Sequence, residues 1–264
     1  MSCYSGTIGP RILNSVFAVA VLGGLAGSGG MRAANPPQQE ITVAAAANLM
    51  DVGQAIGSAF EAQTKIHPIF SFASTAQLTS QIENSAPFDV FLAADALHVD
   101  KLAREHLLVP GSEAVYATGA LALWVPPGSK ARITKLADLT ASDVRVIALA
   151  NPKLAPYGQA AVETLQHLGL WDQVKNKIVY AANISMAREF GSSKNADAVF
   201  TAYSLVLKEA GKVIPIDGRL HAPIVQKLGI VARSHQLKDA RAFTRFVLGP
   251  SGRAILARYG YKIH

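Results

Sequence analysis

Cysteine is almost absent: the 264 residues hold one, Cys3. It stands ahead of an apolar run rather than behind one, so it is not placed for lipid attachment and is expected to leave with the leader described below. The remaining chain has no disulfide, no thiolate nucleophile and no cysteine metal site, and must be stabilised by the size of its core alone. Also missing are the G-x-S-x-G elbow, the H-E-x-x-H helix and the P-loop. The seven histidines (His67, His98, His106, His167, His221, His235, His264) are separated by wide gaps and read as surface or strand-end residues rather than ligands. Asp89 and Asp95 flank a short apolar run, where aspartates cap helices or close turns. Basic residues are scattered and do not interleave with aromatics, which argues against nucleic-acid binding. Together these absences leave no visible nucleophile, base or metal constellation for catalysis.

What is present begins with a leader. Arg11 precedes an apolar stretch over residues 12–26, followed by Gly and Ser and then by a polar, Pro-containing stretch over residues 35–40. That is the layout of a secretory signal peptide, too short to span a bilayer comfortably. Residues 1–34 are therefore read as the leader, with cleavage between Ala26 and Ala34, and the protein as exported. The formal charge of +7 becomes about +5 without Arg11 and Arg32, a mild attraction for anions. About 225–230 residues remain, enough for one large or two ordinary α/β domains.

Strand and helix patterns then alternate almost throughout. Strands are expected at residues 41–45, 67–72, 89–93, 120–125, 144–148, 198–201, 212–216 and 229–232. Helices are expected at residues 50–63, 76–84, 99–105, 158–168, 184–190, 202–210, 239–248 and 251–259. Such alternation predicts mixed, mostly parallel sheets flanked by helices. No repeat, low-complexity tract or solvated linker appears, so two domains would have to be joined by strands.

Four segments are candidate pocket walls: Ala47-Asn48, Ser74-Thr75, residues 151–158 (NPKLAPYG) and residues 180–186 (YAANISM). Each follows a strand pattern and opens a helix, where unpaired N–H groups point at one spot and open α/β sheets place their ligands. Small residues let a ligand approach the backbone. Two such sites about thirty residues apart, each with a hydrogen-bonding side chain (Asn48, Thr75), suggest a pocket for a small oxyanion.

The stretches ITVAAAANLM, FSFASTAQLTSQIENSAPFDVFLAAD, NPKLAPYGQAAVETLQHLGLWD and FTRFVLGPSGRAILARYGY resemble the molybdate-binding periplasmic proteins of ABC importers, over about residues 41–262. The resemblance implies an α/β, two-lobed periplasmic-binding-protein fold of type II, with a hinge crossed twice and an oxyanion in the cleft. Lobe 1 would comprise residues 38–116 plus 218–264, and lobe 2 residues 117–217. It places the binding groups on Asn48, Thr75, Tyr157 and Ile184, the last two chiefly through backbone N–H, with Ala47 and Ser74 beside the first two. No catalytic residue, no free metal cation and no cofactor are implied. The ligand would be molybdate or tungstate, the partner a membrane permease, the location the periplasm and the state a monomer. Two departures stand out: Ala182-Asn183 where relatives often carry an acidic residue, and Thr201 where some place a ligand-binding tyrosine.

The residue chemistry agrees with that expectation. Molybdate and tungstate are fully deprotonated near neutral pH, so they need only donors, which Asn, Thr and backbone N–H supply. Hydrogen phosphate carries a proton and would profit from a carboxylate, and the four segments contain none; Lys153 is their one cation. Charge-assisted hydrogen bonds and helix dipoles can hold a dianion without a formal countercharge. Sulfate, phosphate or a small organic anion on the same fold is the alternative.

Overall fold

A computed structural model describes residues 39–263. The expected leader, with Cys3, lies outside the described residues. Among those residues ten strands form two five-stranded sheets. The first half of the chain supplies β1 (Glu40–Ala46), α1 (Met50–Thr64), β2 (His67–Ala73), α2 (Thr75–Glu83), β3 (Val90–Leu92), α3 (Leu97–Arg104) and β4 (Ala114–Gly119). After Ala120 the chain enters the second sheet with β5 (Leu121–Val125), β6 (Ile147–Ala150), α4 (Pro156–His167), α5 (Trp171–Val174), β7 (Ile178–Ala181), α6 (Ile184–Ser192), β8 (Ala198–Ala202), α7 (Tyr203–Val206) and β9 (Lys212–Pro215). It then returns to the first sheet through β10 (Ile224–Ile230) and closes with α8 (Leu237–Leu248) and α9 (Pro250–Arg258).

Both sheets are mixed by the same device. β1 runs parallel to β2 and β3, and β6 parallel to β7 and β8. β10 is antiparallel to β3 and β4, and β5 antiparallel to β8 and β9. Each antiparallel strand is thus one that carries the chain into its sheet from the other. The parallel strands come from βα units, which need a crossover helix.

Local sequence explains the helices. In α1, Val52, Ile56 and Phe60 recur on one buried face, each contributing about 1.5–3 kcal/mol on burial. Phe60 meets Phe243 and Phe246 of α8 edge to face, at 5.1 and 5.6 Å. The helix stops at Lys65, whose φ of 65° is the left-handed cap. α4 begins on Pro156, suited to a first turn that has no N–H partner. Its third residue is Gly158 because a Cβ there would lie 2.1 Å from the Ala150 carbonyl oxygen. Asp95 does cap a helix start, accepting the His98 N–H at 2.9 Å. Asp89 instead ties strands together, accepting the Thr42 N–H at 2.7 Å.

Candidate functional site

The six residues singled out in the sequence meet at one place. Ala47, Asn48, Ser74, Thr75, Tyr157 and Ile184, joined by Ala46, Ala94, Ala155 and Pro156, line a single small cavity. Every one of them lies at or just beyond the carboxyl end of a parallel strand: β1, β2, β3, β6 or β7. The alternating pattern therefore sets the site's position, since helix-linked parallel strands all end on the same side. The cavity is narrow, about 10 Å³. Ala46, Ala47 and Ala94, from the first sheet, pack into the apolar core of the second. Across the same seam the Ala76 N–H donates to the Leu154 carbonyl at 3.2 Å, and Ser204 Oγ to the Asn48 carbonyl at 3.1 Å.

Three helix starts supply donors to this wall. Ser74 caps α2; its N–H and hydroxyl both reach Gln77 Oε1, at 3.2 and 2.7 Å. Thr75 Oγ1 accepts the Ala94 N–H at 3.1 Å, which leaves its own proton to donate. Tyr157 and Ile184 occupy the first two positions of α4 and α6, where backbone N–H groups have no partner inside the helix. Asn183 caps α6, with Asn183 Oδ1 accepting from the Met186 N–H at 3.0 Å and from Ser185 Oγ at 2.9 Å. Asn183 thus serves the start of the helix. Thr201 does not line the cavity; it is fully buried in β8 opposite Ala122, and its hydroxyl has no partner.

Asn48 belongs to a network that the sequence did not reveal. Its Nδ2 donates to Gln226 Oε1 at 3.1 Å and to Tyr261 Oη at 2.9 Å, while its Oδ1 is buried without a partner. Gln226, in β10, also accepts from Tyr116 Oη at 2.7 Å and donates from Nε2 to Tyr157 Oη at 2.9 Å. The Tyr157 ring end rests on Gly119, where a Cβ would fall 2.1 Å from the hydroxyl. Tyr116, Tyr157 and Tyr261 are all raised above the ordinary tyrosine value, by burial first, so they stay protonated as neutral hydroxyls. One signal in the sequence could have found Gln226: it is a lone amide at an inward position of a strand whose other inward residues are apolar.

No charged side chain lines the cavity. A larger cavity of about 440 Å³ shares only Ala155 and Pro156 with it and is lined by charges of both signs, Asp95 and Glu163 with Lys153. Among the described residues no His, Cys, Asp or Glu cluster could hold a metal ion, and no helix is long and apolar enough to cross a membrane.

Comparison with known proteins fits this architecture. Residues 41–262 match the family described as bacterial extracellular solute-binding protein. The molybdate-binding protein ModA of Azotobacter vinelandii is 38% identical over 237 residues, 88% of this chain and 93% of its own. That of Rhodobacter capsulatus is 36% identical over 223 residues, 84% of this chain and 88% of its own. The solved structure of the Azotobacter vinelandii periplasmic molybdate-binding protein superposes with a TM-score of 0.80 at 31% identity, covering 85% of this chain and 99% of the other. A sulfate-binding protein of Mycobacterium tuberculosis shares the fold, with a TM-score of 0.72 at 14% identity. The chain belongs to the bacterial extracellular solute-binding protein family, in its ModA branch, a family of solute capture rather than catalysis.

Proposed function

We propose that the chain captures molybdate, and tungstate with it, in the cavity between the two sheets and delivers it in the periplasm to the membrane permease of an ABC importer. The observation that carries this reading is the cavity wall: neutral donors from both sheets, no carboxylate and no cation. Such a wall suits an acceptor-only dianion, whose hydrogen bonds are charge-assisted. Thr75 gives its hydroxyl proton, Tyr157 and Ile184 their backbone N–H groups at helix starts, and Ala47 and Ser74 keep the backbone close. Asn48 completes the set, and its share depends on which corner of its carboxamide faces the cavity.

Residues 38–116 with 218–264 and residues 117–217 act as two lobes, joined where the chain passes Ala120 and where it returns ahead of β10. Closing them gathers donors that neither side holds alone, so binding favours the closed form by that difference in contacts. Sulfate has the same charge and a smaller radius, and cavity size separates the two. Isothermal titration of the exported chain with molybdate, tungstate, sulfate and hydrogen phosphate tests the reading. One-to-one binding of molybdate and tungstate, much tighter than the others, is expected. Tighter sulfate or phosphate would transfer the site to that ion, and no binding of any would overturn the reading.

A further inference from the structure

Gln226 touches no cavity space, yet it holds both Asn48 and Tyr157. In the arrangement described, the hydrogen-bond accounts of this buried cluster do not balance. Asn48 Oδ1 is buried with no donor. The single proton of Tyr116 faces two acceptors, the Ala93 carbonyl at 2.8 Å and Gln226 Oε1 at 2.7 Å. Tyr157 accepts from Gln226 Nε2, and the Asn48 side chain stands against the same hydroxyl. An orphaned acceptor beside an anion site is costly twice, through lost hydrogen bonding and through repulsion of the ligand.

We propose that Gln226 is a positioning residue that sets the polarity of Asn48, with both carboxamides turned end for end in the oxyanion-bound protein. Carboxamide oxygen and nitrogen exchange places with almost no movement of heavy atoms, so each contact keeps its length. Gln226 Nε2 then donates to Asn48 Oδ1 across the 3.1 Å contact and to Tyr116 Oη across 2.7 Å. Tyr116 donates to the Ala93 carbonyl and Tyr157 to Gln226 Oε1 across 2.9 Å. Tyr261 moves its proton from the Asn48 carbonyl, which it holds at 2.9 Å, to Asn48 Oδ1 across 2.9 Å, and that carbonyl keeps the Ser204 hydroxyl as its donor. Every hydroxyl now has one proton and one acceptor. The corner of Asn48 left over is Nδ2, a donor, where Oδ1 stood. Turning one carboxamide alone would set two oxygens or two N–H₂ groups face to face, so the pair turns together. A glutamine at position 226 thus makes Asn48 a donor and tunes the site to oxyanions that carry no proton.

The inference rests on the oxyanion-binding reading above, and the test separates the two. Molybdate and hydrogen phosphate are both dianions at about pH 8, so a charge added nearby weakens both, and their affinity ratio reads the polarity of Asn48. Gln226→Glu, an acceptor when ionised, draws Nδ2 back and leaves Oδ1 toward the cavity; the molybdate-to-phosphate ratio should fall roughly tenfold or more. Gln226→Met, similar in shape and neutral, leaves Asn48 free to turn, and the ratio should stay within roughly threefold of the parent's. Equal shifts in the two variants overturn the proposal while the parent's binding still supports the function. A parent that binds no oxyanion overturns both. Neutron diffraction from deuterium-exchanged parent crystals grown with molybdate reads the same point without a variant. Deuterium on the Asn48 atom facing the cavity supports it, and deuterium on the atom facing Gln226 overturns it.

Discussion

Thr75 Oγ1 accepts the Ala94 N–H, and in the binding proposed above it also donates its own proton to the oxyanion. Thr75→Ala should weaken molybdate binding by about 1.5–3 kcal/mol, roughly tenfold to more than a hundredfold. It should also lower thermal stability, since the buried Ala94 N–H loses its acceptor, a cost of about 1–3 kcal/mol. Thr75→Ser keeps the oxygen and should stay near the parent in both calorimetry and thermal melts. Asn48→Ala should cost a similar factor in affinity. The four segments that wall the cavity were legible because small residues at strand ends and unpaired N–H groups at helix starts are written locally, while the resemblance singled out Tyr157 and Ile184 within theirs. Gln226 and Tyr261 were not: their partner Asn48 lies 178 and 213 positions away, and nothing local says that the chain brings them together.

At the scale of elements, alternation revealed most strands and helices with ends shifted by a few residues. The largest miss was β4, whose Ala114–Gly119 stretch mixes exposed and buried positions and ends in the glycine that makes room for Tyr157. The return strand was placed late, at residues 229–232, because Gln226 and Lys227 interrupt the apolar pattern of Ile224–Ile230, and the register shifts between those two residues. The helix expected over residues 202–210 is a single turn, Tyr203–Val206, since its length is set by packing and not by propensity. Two element-level outcomes follow. Gly→Ala inside a helix ordinarily stabilises by about 1 kcal/mol, but Gly158→Ala should destabilise by about 1–3 kcal/mol, because its methyl would meet the backbone of β6. Urea unfolding gives the sign, and titration should show weaker molybdate binding as the start of α4 shifts. Arg188 of α6 donates to Asp51 Oδ2 of α1 at 3.0 Å and to the Leu205 carbonyl at 3.1 Å. Asp51 is partly exposed, so the ion pair holding these helices together is screened and worth at most about 1 kcal/mol. Arg188→Met should therefore lower molybdate affinity only a few-fold, with the loss shrinking as salt rises.

For the molecule as a whole, alternating βα units made helix-flanked sheet legible and the resemblance supplied its division in two, whereas the tight fit between the sheets was legible in neither. Solution scattering should show a smaller radius of gyration at saturating molybdate; an unchanged value at saturation would argue for a preformed cleft and an idle hinge. Tryptophan emission should respond little, because Trp124 donates to the Ala210 carbonyl and packs on Gly191, within the half that carries it. Stability should respond to alkali. Burial raises the three network tyrosines above their unfolded value of about 10, so the unfolded chain loses protons first. Their contribution is intact below about pH 10 and is lost as pH climbs toward their folded values. Melting temperature should drop above about pH 10, and less steeply in Tyr261→Phe, with a step in tyrosinate absorbance accompanying unfolding.

A cavity wall with no acid, base or cation has an electrical consequence. Nothing in it can release or take up a proton to offset an arriving dianion, so a loaded molecule differs from an empty one by the full two charges. On a chain whose exported part carries about +5, that is a large fraction of the total. Loaded and empty protein should separate on a native gel run toward the cathode, the loaded band trailing, and the heat of binding should not change between buffers of different ionisation enthalpy.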